Sequence, residues 1–383
     1  MKIGFLITYF YPKTGGAENN CYYLAKELAK KHEVHVFCSG EEDKDEVIDK
    51  INVHRSKEIF RIRYYLGYYP SIIKNILSYD LDILHVHGLG FPQHDRAVSK
   101  LKKIKPETKI VCTPHGPFMA LKGYNLLAHL FKKLYTPFIV KSLKKYDRII
   151  QVNPWQKEWM KQEYGISKNK IVFIPNGIDK NAFEKSNVNI LIKLGNKYDL
   201  GKKIVISYLG RIQQYKGIDQ IIEALVLLKK DYPNIKFLAI GKDAGDRVRL
   251  EKLAKAGGVE RDITFTGEVS EEEKYALLDL SEIFIFPSEW EAFGIAALEA
   301  MAKGNVIIST KTEGGRFLIK EGKNGFLFDF GNFNELAENI KKTFLDPKIK
   351  AKIQKNNIKK AKRFLWNNIA KQLEKEYRKV LKE

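Results

Sequence analysis

Cysteine is scarce. Cys21, Cys38 and Cys112 fall in three separate apolar segments of a 383-residue chain, and no C-x-x-C spacing occurs. This argues against a disulfide framework and a cysteine-built zinc site, and it fits a reducing compartment. Long apolar runs are missing too. With no stretch of 18 apolar residues, no helix is expected to span a bilayer. The opening K-I-G-F-L-I-T-Y-F-Y mimics a signal sequence but runs into P-K-T-G-G-A-E without a small-residue cleavage pattern, so it suits a buried first strand better. The G-x-G-x-x-G fingerprint of dinucleotide folds is absent. Acidic residues are outnumbered, 46 against 67 basic ones, giving a formal net charge of +21. That surplus suits a polyanionic partner, whether nucleic acid, anionic lipid or a phosphorylated substrate. It equally suits a lysine-rich, solvated surface of the thermophilic kind. The basic residues form no recognisable nucleic-acid module, which sets nucleic acid aside as a partner.

What the chain does contain is an alternation of short β-rich runs and amphipathic segments. Strands are expected at 3–8, 34–38, 82–87, 109–113, 148–152 and 171–174. A second series follows at 204–209, 235–240, 262–266, 283–286, 306–309 and 326–328. Helices are expected at 17–31, 218–230, 246–256, 271–280 and 292–302. Strands separated by helices predict an α/β fold with parallel sheets covered on both faces, and the length predicts two such domains. The boundaries read as 1–184, a polar, weakly periodic linker at 185–202 in which Asn189–Leu194 could form a helical turn, and 203–365. A final amphipathic helix occupies 366–383, with Trp366, Ile369, Leu373, Tyr377 and Val380 in phase. In such sheets ligands bind beyond the carboxyl ends of the strands.

The most informative stretch is 288–299, S-E-W-E-A-F-G-I-A-A-L-E. It follows the apolar strand 283–286 and opens a helix of small residues. Glu291 falls in the turn and Glu299 inside the helix, seven residues intervening. The helix start has unpaired N–H groups, so a ligand phosphate would sit near Phe293, Gly294 and Ile295. Glu299 is flanked by Ala296, Ala297, Leu298, Ala300, Met301 and Ala302, and a carboxylate there needs a partner. Both glutamates could grip ligand hydroxyls, or one could be a solvated turn residue and the other a helix edge facing water.

The turn 208–217, Y-L-G-R-I-Q-Q-Y-K-G, places Arg211 and Lys216 between a strand and a helix. Two cations beside a helix start suit a diphosphate. T-G-G-A-E at 14–18 puts Gly15 and Gly16 after the first strand, where backbone N–H groups can approach a ligand or simply turn. His85 and His87 alternate on one strand and share a face. No third metal ligand lies near them, and His87, before Gly88, is better placed for substrate. T-P-H-G repeats the theme with His115, and V-F-I-P-N-G-I-D sets Asn176 in a turn beyond a strand. Each histidine could equally be packed. The acidic pairs Asp43/Asp45, in a charged loop, and Asp80/Asp82, before a buried strand, read as surface residues rather than a metal site.

G-R-I-Q-Q-Y-K-G followed by E-A-F-G-I-A-A-L-E resembles the signature of retaining glycosyltransferases of family four, the group 1 glycosyl transferases with the GT-B fold. G-G-A-E, T-P-H-G, I-P-N-G-I-D and the late K-N-G-F-L agree with that pattern in order. The resemblance implies two Rossmann-like domains facing across a cleft, with the last helix crossing back to the N-terminal, acceptor-binding domain. It implies transfer of a sugar from a nucleotide-diphosphate sugar with retained configuration, no essential metal and no tightly bound cofactor. The acceptor would be a glycan, a lipid-linked sugar or a small molecule. By position, Arg211 and Lys216 would hold the donor diphosphate and Glu291 the sugar hydroxyls, helped by backbone at Phe293 and Gly294. Glu299 would hold the ribose. Gly16 would lie near the phosphates and His115 beside the sugar, so the implied catalytic set is Glu291, His115, Arg211 and Lys216. Gly15, His87 and Asn176 would line the cleft. The loop G-K-D-A-G after Ile240 departs from the usual G-x-G or G-D-G, and Lys242 adds a charge near the donor or faces water.

Residues 118–145 carry Leu126, Leu127, Leu130, Phe131, Leu134, Phe138 and Ile139 with six lysines and no acidic residue. Residues 55–69 mix Arg55, Lys57, Arg61 and Arg63 with Phe60, Tyr64, Tyr65, Tyr68 and Tyr69. Both compositions suit an anionic membrane surface, or a core flanked by lysines. The location expected is cytoplasmic, with peripheral attachment to the cytoplasmic membrane face under the first reading. A phosphorylase holding pyridoxal phosphate, a glucan synthase, a nucleic-acid binder and a catalytically silent subunit are the competing readings.

Overall fold

β-Branched and aromatic runs become strands, and the segments between them become the helices that cover them. The computed structural model describes residues 1–383 except 14, 63–64 and 119–125, and only the backbone of Leu126 and Ala128. Thr14, Arg63 and Tyr64 thus lie outside the described residues, as does the beginning of the basic apolar stretch. Two units form: Met1–Gly177 with Trp366–Glu383, and Ile178–Leu365.

In the first unit the elements run β1 (Lys2–Leu6), α1 (Gly16–Leu28), β2 (Glu33–Gly40), β3 (Lys44–Ile48), β4 (Ile51–Lys57), β5 (Phe60–Ile62), β6 (Leu66–Tyr68), α2 (Ser71–Leu77) and β7 (Ile83–His87). They continue with α3 (Pro92–Ile104), β8 (Lys109–Thr113), α4 (Leu126–Leu143), β9 (Arg148–Gln151), α5 (Gln156–Tyr164) and β10 (Ile171–Phe173). Among the described residues, eight strands form one sheet in the order β10-β9-β8-β7-β1-β2-β4-β3. All pair in parallel except β3 with β4. The D-K-D segment expected in a charged loop is therefore an edge strand. Asp49 and Lys50 turn the chain with φ of 50° and 67°, and the charged side chains of β3 keep that edge from pairing further. The strand order reverses between β1 and β7.

The final helix, Trp366–Val380, belongs to this unit. It buries Trp366, Ile369, Ala370, Leu373, Tyr377 and Val380 in a core shared with β1 and α1. Trp366 stacks on Tyr23 at 5.5 Å. Arg148 forms 2.7 Å ion pairs with Glu376 and Glu383. Burying five large side chains contributes on the order of 10 kcal/mol as an upper estimate.

The second unit contains α6 (Val188–Lys197), β11 (Ile204–Leu209), α7 (Ile218–Leu228), β12 (Ile235–Ile240), α8 (Arg247–Ala256), β13 (Ile263–Gly267), α9 (Glu271–Asp279) and β14 (Ile283–Phe286). After these come α10 (Ile295–Ala302), β15 (Val306–Thr310), α11 (Glu313–Leu318), β16 (Gly325–Phe328), α12 (Phe333–Leu345) and α13 (Pro347–Ala361); the last helix is α14. Its strands are all parallel, in the order β13-β12-β11-β14-β15-β16, reversing between β11 and β14. Residues 185–202, expected as linker, carry α6. Asn187 caps it by accepting the N–H of Asn189 at 2.9 Å, and Leu194, Tyr198 and Leu200 pack with Leu238 and Leu277. Helix α10 begins at Ile295, later than expected, which leaves Phe293 and Gly294 in the turn.

Candidate active site

A parallel sheet opens a crevice where strand order reverses, because the loops leaving the two central strands part to opposite faces. In the second unit that point lies between β11 and β14, and the two sequence motifs are the loops that leave them. Several ties join these loops. Glu289 donates its N–H to the Tyr215 carbonyl at 2.9 Å. Gln220, buried on α7, donates to the Pro287 and Gly217 carbonyls at 3.1 and 3.2 Å and accepts the Gly331 N–H at 2.6 Å. Gly217 has φ of 67°, and a Cβ there would strike the Pro287 carbonyl, so only glycine permits the approach. Gln220 was not among the expected residues, although a glutamine inside the apolar I-D-Q-I-I-E-A-L helix was a visible signal.

Lys216 Nζ donates to Glu291 Oε2 at 2.9 Å, with the two side chains 14% and 21% exposed. Burial alone would lower the Lys216 pKa, but the Glu291 charge, with Tyr215 and Tyr208, outweighs it and raises it. This lysine is therefore a fixed cation at any physiological pH. Arg211 is exposed. Its guanidinium lies 3.4 Å from the Tyr215 hydroxyl, and among the described residues it has no carboxylate partner. One cation is thus compensated and the other is not.

Gly294 caps α10 with φ of 95°, and a Cβ there would come within 2.8 Å of the Phe286 ring. This left-handed residue turns the backbone N–H groups that open α10 toward the crevice end of the sheet. Phe293 is buried against Phe317 and Phe364, ring centroids 5.7 and 6.0 Å away. The Glu291 carbonyl accepts the Gly314 N–H at 2.9 Å, which fixes the turn from the other side.

Glu299 lies in the otherwise apolar α10 and has a partner within the chain. Lys274 Nζ donates to Glu299 Oε1 at 2.7 Å and to Glu271 at 2.7 Å, and the Tyr275 hydroxyl is 3.5 Å from the same Glu299 oxygen. Burial would lower the Lys274 pKa; Glu299 and Glu271 together raise it. The sequence reading missed Lys274. Its signal was weak, since a lysine three residues after a glutamate reads as an ordinary helix-surface pair. In the G-K-D-A-G loop Lys242 is exposed, while Asp243 accepts the Gly245, Asp246 and Arg247 N–H groups at 2.9 to 3.3 Å and anchors the start of α8.

In the first unit the corresponding reversal lies between β1 and β7. Gly15 and Gly16 open α1 there, with open space where a Gly16 Cβ would stand. His87 ends β7 and His115 follows β8. His87 Nδ1 and His115 Nε2 are 2.9 Å apart, and His115 holds φ of 62°. His85 stacks on His87 at 4.6 Å but is engaged by Tyr377 and Thr113 at 2.5 and 2.7 Å. Burial depresses all three pKa values, to about 3 for His85, to about 4 for His115 and well below the ordinary value for His87, where His85 and His115 add to the effect. They are neutral at pH 7, so one N–H is shared between His87 and His115. Asn176 is buried and accepts from Asn20 at 2.6 Å, tying its turn to α1. Gly16, His87, His115 and Asn176 thus belong to the first unit. Arg211, Lys216, Glu291, Phe293, Gly294, Ile295 and Glu299 belong to the second.

Known proteins resemble the chain across both units. The family profile described as glycosyl transferases group 1 matches residues 194–360, and that of glycosyltransferase family 4 matches residues 14–182. The chain is 23% identical over 389 aligned residues to a phosphatidyl-myo-inositol mannosyltransferase of Mycobacterium leprae, covering 99% of this chain and 97% of the relative. It is 28% identical to the mannosylfructose-phosphate synthase of Agrobacterium fabrum over 59% of this chain and 52% of that one. Among solved structures, sucrose-phosphate synthase from Thermosynechococcus elongatus superposes with a TM-score of 0.82 at 19% identity, covering 99% and 98% of the two chains. Anabaena HepE in complex with UDP-glucose superposes at 0.77 and 21% identity, covering 99% and 100%. The shared fold is GT-B.

Proposed function

The chain belongs to the group 1 glycosyl transferases, and from that premise we propose that it is a retaining, metal-independent hexosyltransferase. A nucleotide-diphosphate sugar is the donor, and a glycan, a lipid-linked sugar or a small molecule is the acceptor. The observation that carries this reading is the crevice end of the second sheet. There the uncompensated Arg211, the Lys216–Glu291 pair and the N-terminus of α10 are gathered by one reversal of strand order.

In this reading the bond between the anomeric carbon and the diphosphate oxygen breaks as the bond to the acceptor oxygen forms. The acceptor proton passes to the departing diphosphate. Negative charge grows on that leaving group, and Arg211, Lys216 and the α10 N–H groups stabilise it because they are already fixed in place. Glu291 accepts hydrogen bonds from the sugar hydroxyls while Lys216 holds its carboxylate, and Glu299 does the same for the ribose while held by Lys274. Gly15 and Gly16 leave the start of α1 open to the phosphates. His115, neutral and positioned by His87, donates to or accepts from a sugar hydroxyl. The acceptor approaches the face from which the diphosphate leaves, which retains the configuration. The named activities of the relatives span a lipid-linked and a sugar-phosphate product, so they support the class of acceptor without narrowing it.

A thermal-shift screen of nucleotide sugars identifies the donor through the stabilisation a bound ligand gives the native state. Proton NMR of the first-formed product, made in the presence of excess chelator, then reads the anomeric configuration and the metal requirement together. An inverted product overturns the retaining assignment, and loss of turnover in chelator overturns metal independence.

A further inference from the structure

Helix α4 has two faces of different character. Ile139 and Leu143 are buried, and Phe131, Tyr135 and Val140 pack against the core of the first unit. Phe118 meets Phe131 and Tyr135 at ring distances of 6.0 and 5.9 Å, and the Tyr135 hydroxyl donates to Asp95 at 2.7 Å. That face has its partners. The opposite face shows Leu127, Leu130, Leu134 and Phe138, which are 75%, 51%, 62% and 64% exposed. Spacings of three and four residues place them in one stripe along the helix. Large apolar side chains grouped in this way mark an interaction surface, whereas scattered ones do not.

The charges beside the stripe have one sign. Lys133 and Lys141 on the helix and Lys144 just beyond its end are exposed and have no carboxylate partner among the described residues. No acidic residue occurs from 118 to 145. The other basic aromatic stretch does not share this character. Arg55 is paired with Glu46 at 2.6 Å, Arg61 is paired with Glu58 and stacks over Tyr9, and Tyr69 is buried. Arg55 and Arg61 are thus spent on partners within the fold, although Phe60 and Ile62 stay exposed.

We propose that the outer face of α4 seats the protein on an anionic bilayer, with Leu127, Leu130, Leu134 and Phe138 entering the acyl boundary and Lys133, Lys141 and Lys144 meeting the phosphates. Charge complementarity selects this occupant. A helix lying in the interface plane needs one apolar stripe flanked by cations, and no helix among the described residues is long and apolar enough to cross a membrane. The contact is peripheral and salt-sensitive.

The test is co-sedimentation with vesicles of phosphatidylcholine alone and with about one third phosphatidylglycerol, without any sugar donor, so that its result is independent of the transfer reaction. Binding to the anionic vesicles is expected to exceed binding to the neutral ones by about tenfold and to fall with salt. Leu134→Glu with Phe138→Glu, and separately Lys133→Glu with Lys141→Glu, are each expected to lower it by about tenfold with unchanged circular dichroism. Leu130→Gln serves as a milder variant with an intermediate loss. Equal binding to both vesicle types overturns the proposal, as does undiminished binding by the Leu134/Phe138 variant. A dimer in analytical ultracentrifugation that this variant dissolves, without vesicle binding by the wild type, assigns the face to a second copy instead.

Discussion

Lys216 and Glu291, 75 positions apart in the chain, are joined by a 2.9 Å ion pair, and that pair locks together the loops leaving the two central strands of the second sheet. Arg211, five residues before Lys216, has no such counter-charge. The two cations of one motif therefore have different physical duties, and substitutions should separate them.

Lys216→Ala removes one partner of a largely enclosed pair and leaves the Glu291 carboxylate without its donor. Stability should fall by about 1–3 kcal/mol. Arg211→Ala removes an exposed side chain and should change stability by less than about 0.5 kcal/mol. Both should weaken nucleoside-diphosphate binding by about tenfold or more. Urea denaturation and isothermal titration calorimetry of the two variants read these effects side by side. Unchanged diphosphate binding in both removes the assigned phosphate site.

Glu291→Gln keeps the size of the side chain but loses its charge. Nucleoside-diphosphate affinity should stay within about threefold of wild type, and turnover should fall on the order of 100-fold, because the lost contact is to the sugar as it departs. Steady-state kinetics with the identified donor supply the comparison. An equal loss in binding and turnover places Glu291 on the phosphates instead.

Lys274 orients Glu299 from a neighbouring helix. If Glu299 holds the ribose, Lys274→Ala and Glu299→Gln should each raise KM for the donor by about tenfold while leaving kcat near its original value, the pattern of lost uniform binding. Their double variant should be no worse than either alone, since both act through one contact. A purely structural pair would lower stability without moving KM.

The buried histidines make the first unit acid-sensitive. His85 and His94 are held at about 3 and His115 at about 4, in each case first by burial, against about 6.5 in an unfolded chain. Their folded values are depressed. Below pH 6.5 the unfolded chain therefore binds more protons than the folded one, and stability rises with pH. It should be complete above pH 6.5 and decline from there down to about pH 4, by about 1.4 kcal/mol per pH unit for each histidine that titrates only when unfolded. Denaturant midpoints at pH 7, 6 and 5 measure the slope. His85→Gln should flatten it, and an unaltered slope excludes His85 as a contributor.

Gly177 leaves no room for a side chain. A Cβ at this position would collide with the Trp366 ring, where α14 begins. Gly177→Ala should destabilise by about 1–3 kcal/mol through overpacking, measured as a lower thermal midpoint. Trp366→Phe in the same chain should restore part of the loss.

Much of this was legible in the sequence. Short, continuous apolar and β-branched runs marked the strands, the turn glycines marked where strands end, and both loops at Arg211–Lys216 and Glu291–Gly294 were readable from residue type alone. The edge strand β3 was hidden because an edge carries charge to avoid pairing, so it reads as a loop. Helix α6 was legible only as a turn at Asn189–Leu194, because its ten residues lie between polar flanks that read as linker, and it gains its order by packing on α9. Lys274 and Gln220 were hidden for another reason: their roles depend on partners in other elements, and a lysine on a helix surface looks the same whether or not a glutamate lies opposite.

The sequence by itself determined the two-unit α/β architecture, the positions of the two strand–helix loops at Arg211–Lys216 and Glu291–Gly294, and the family, because these follow from local apolar runs and from motifs read within a few residues. Only the tertiary structure decided which charges are paired and which are left over. Lys216 with Glu291, Lys274 with Glu299 and His87 with His115 each join separate elements, and the lysines of α4 are left facing solvent beside an apolar stripe. The physical reason is that an ion pair or a buried hydrogen bond depends on separations of about 3 Å, and strand order, rather than sequence distance, sets those separations.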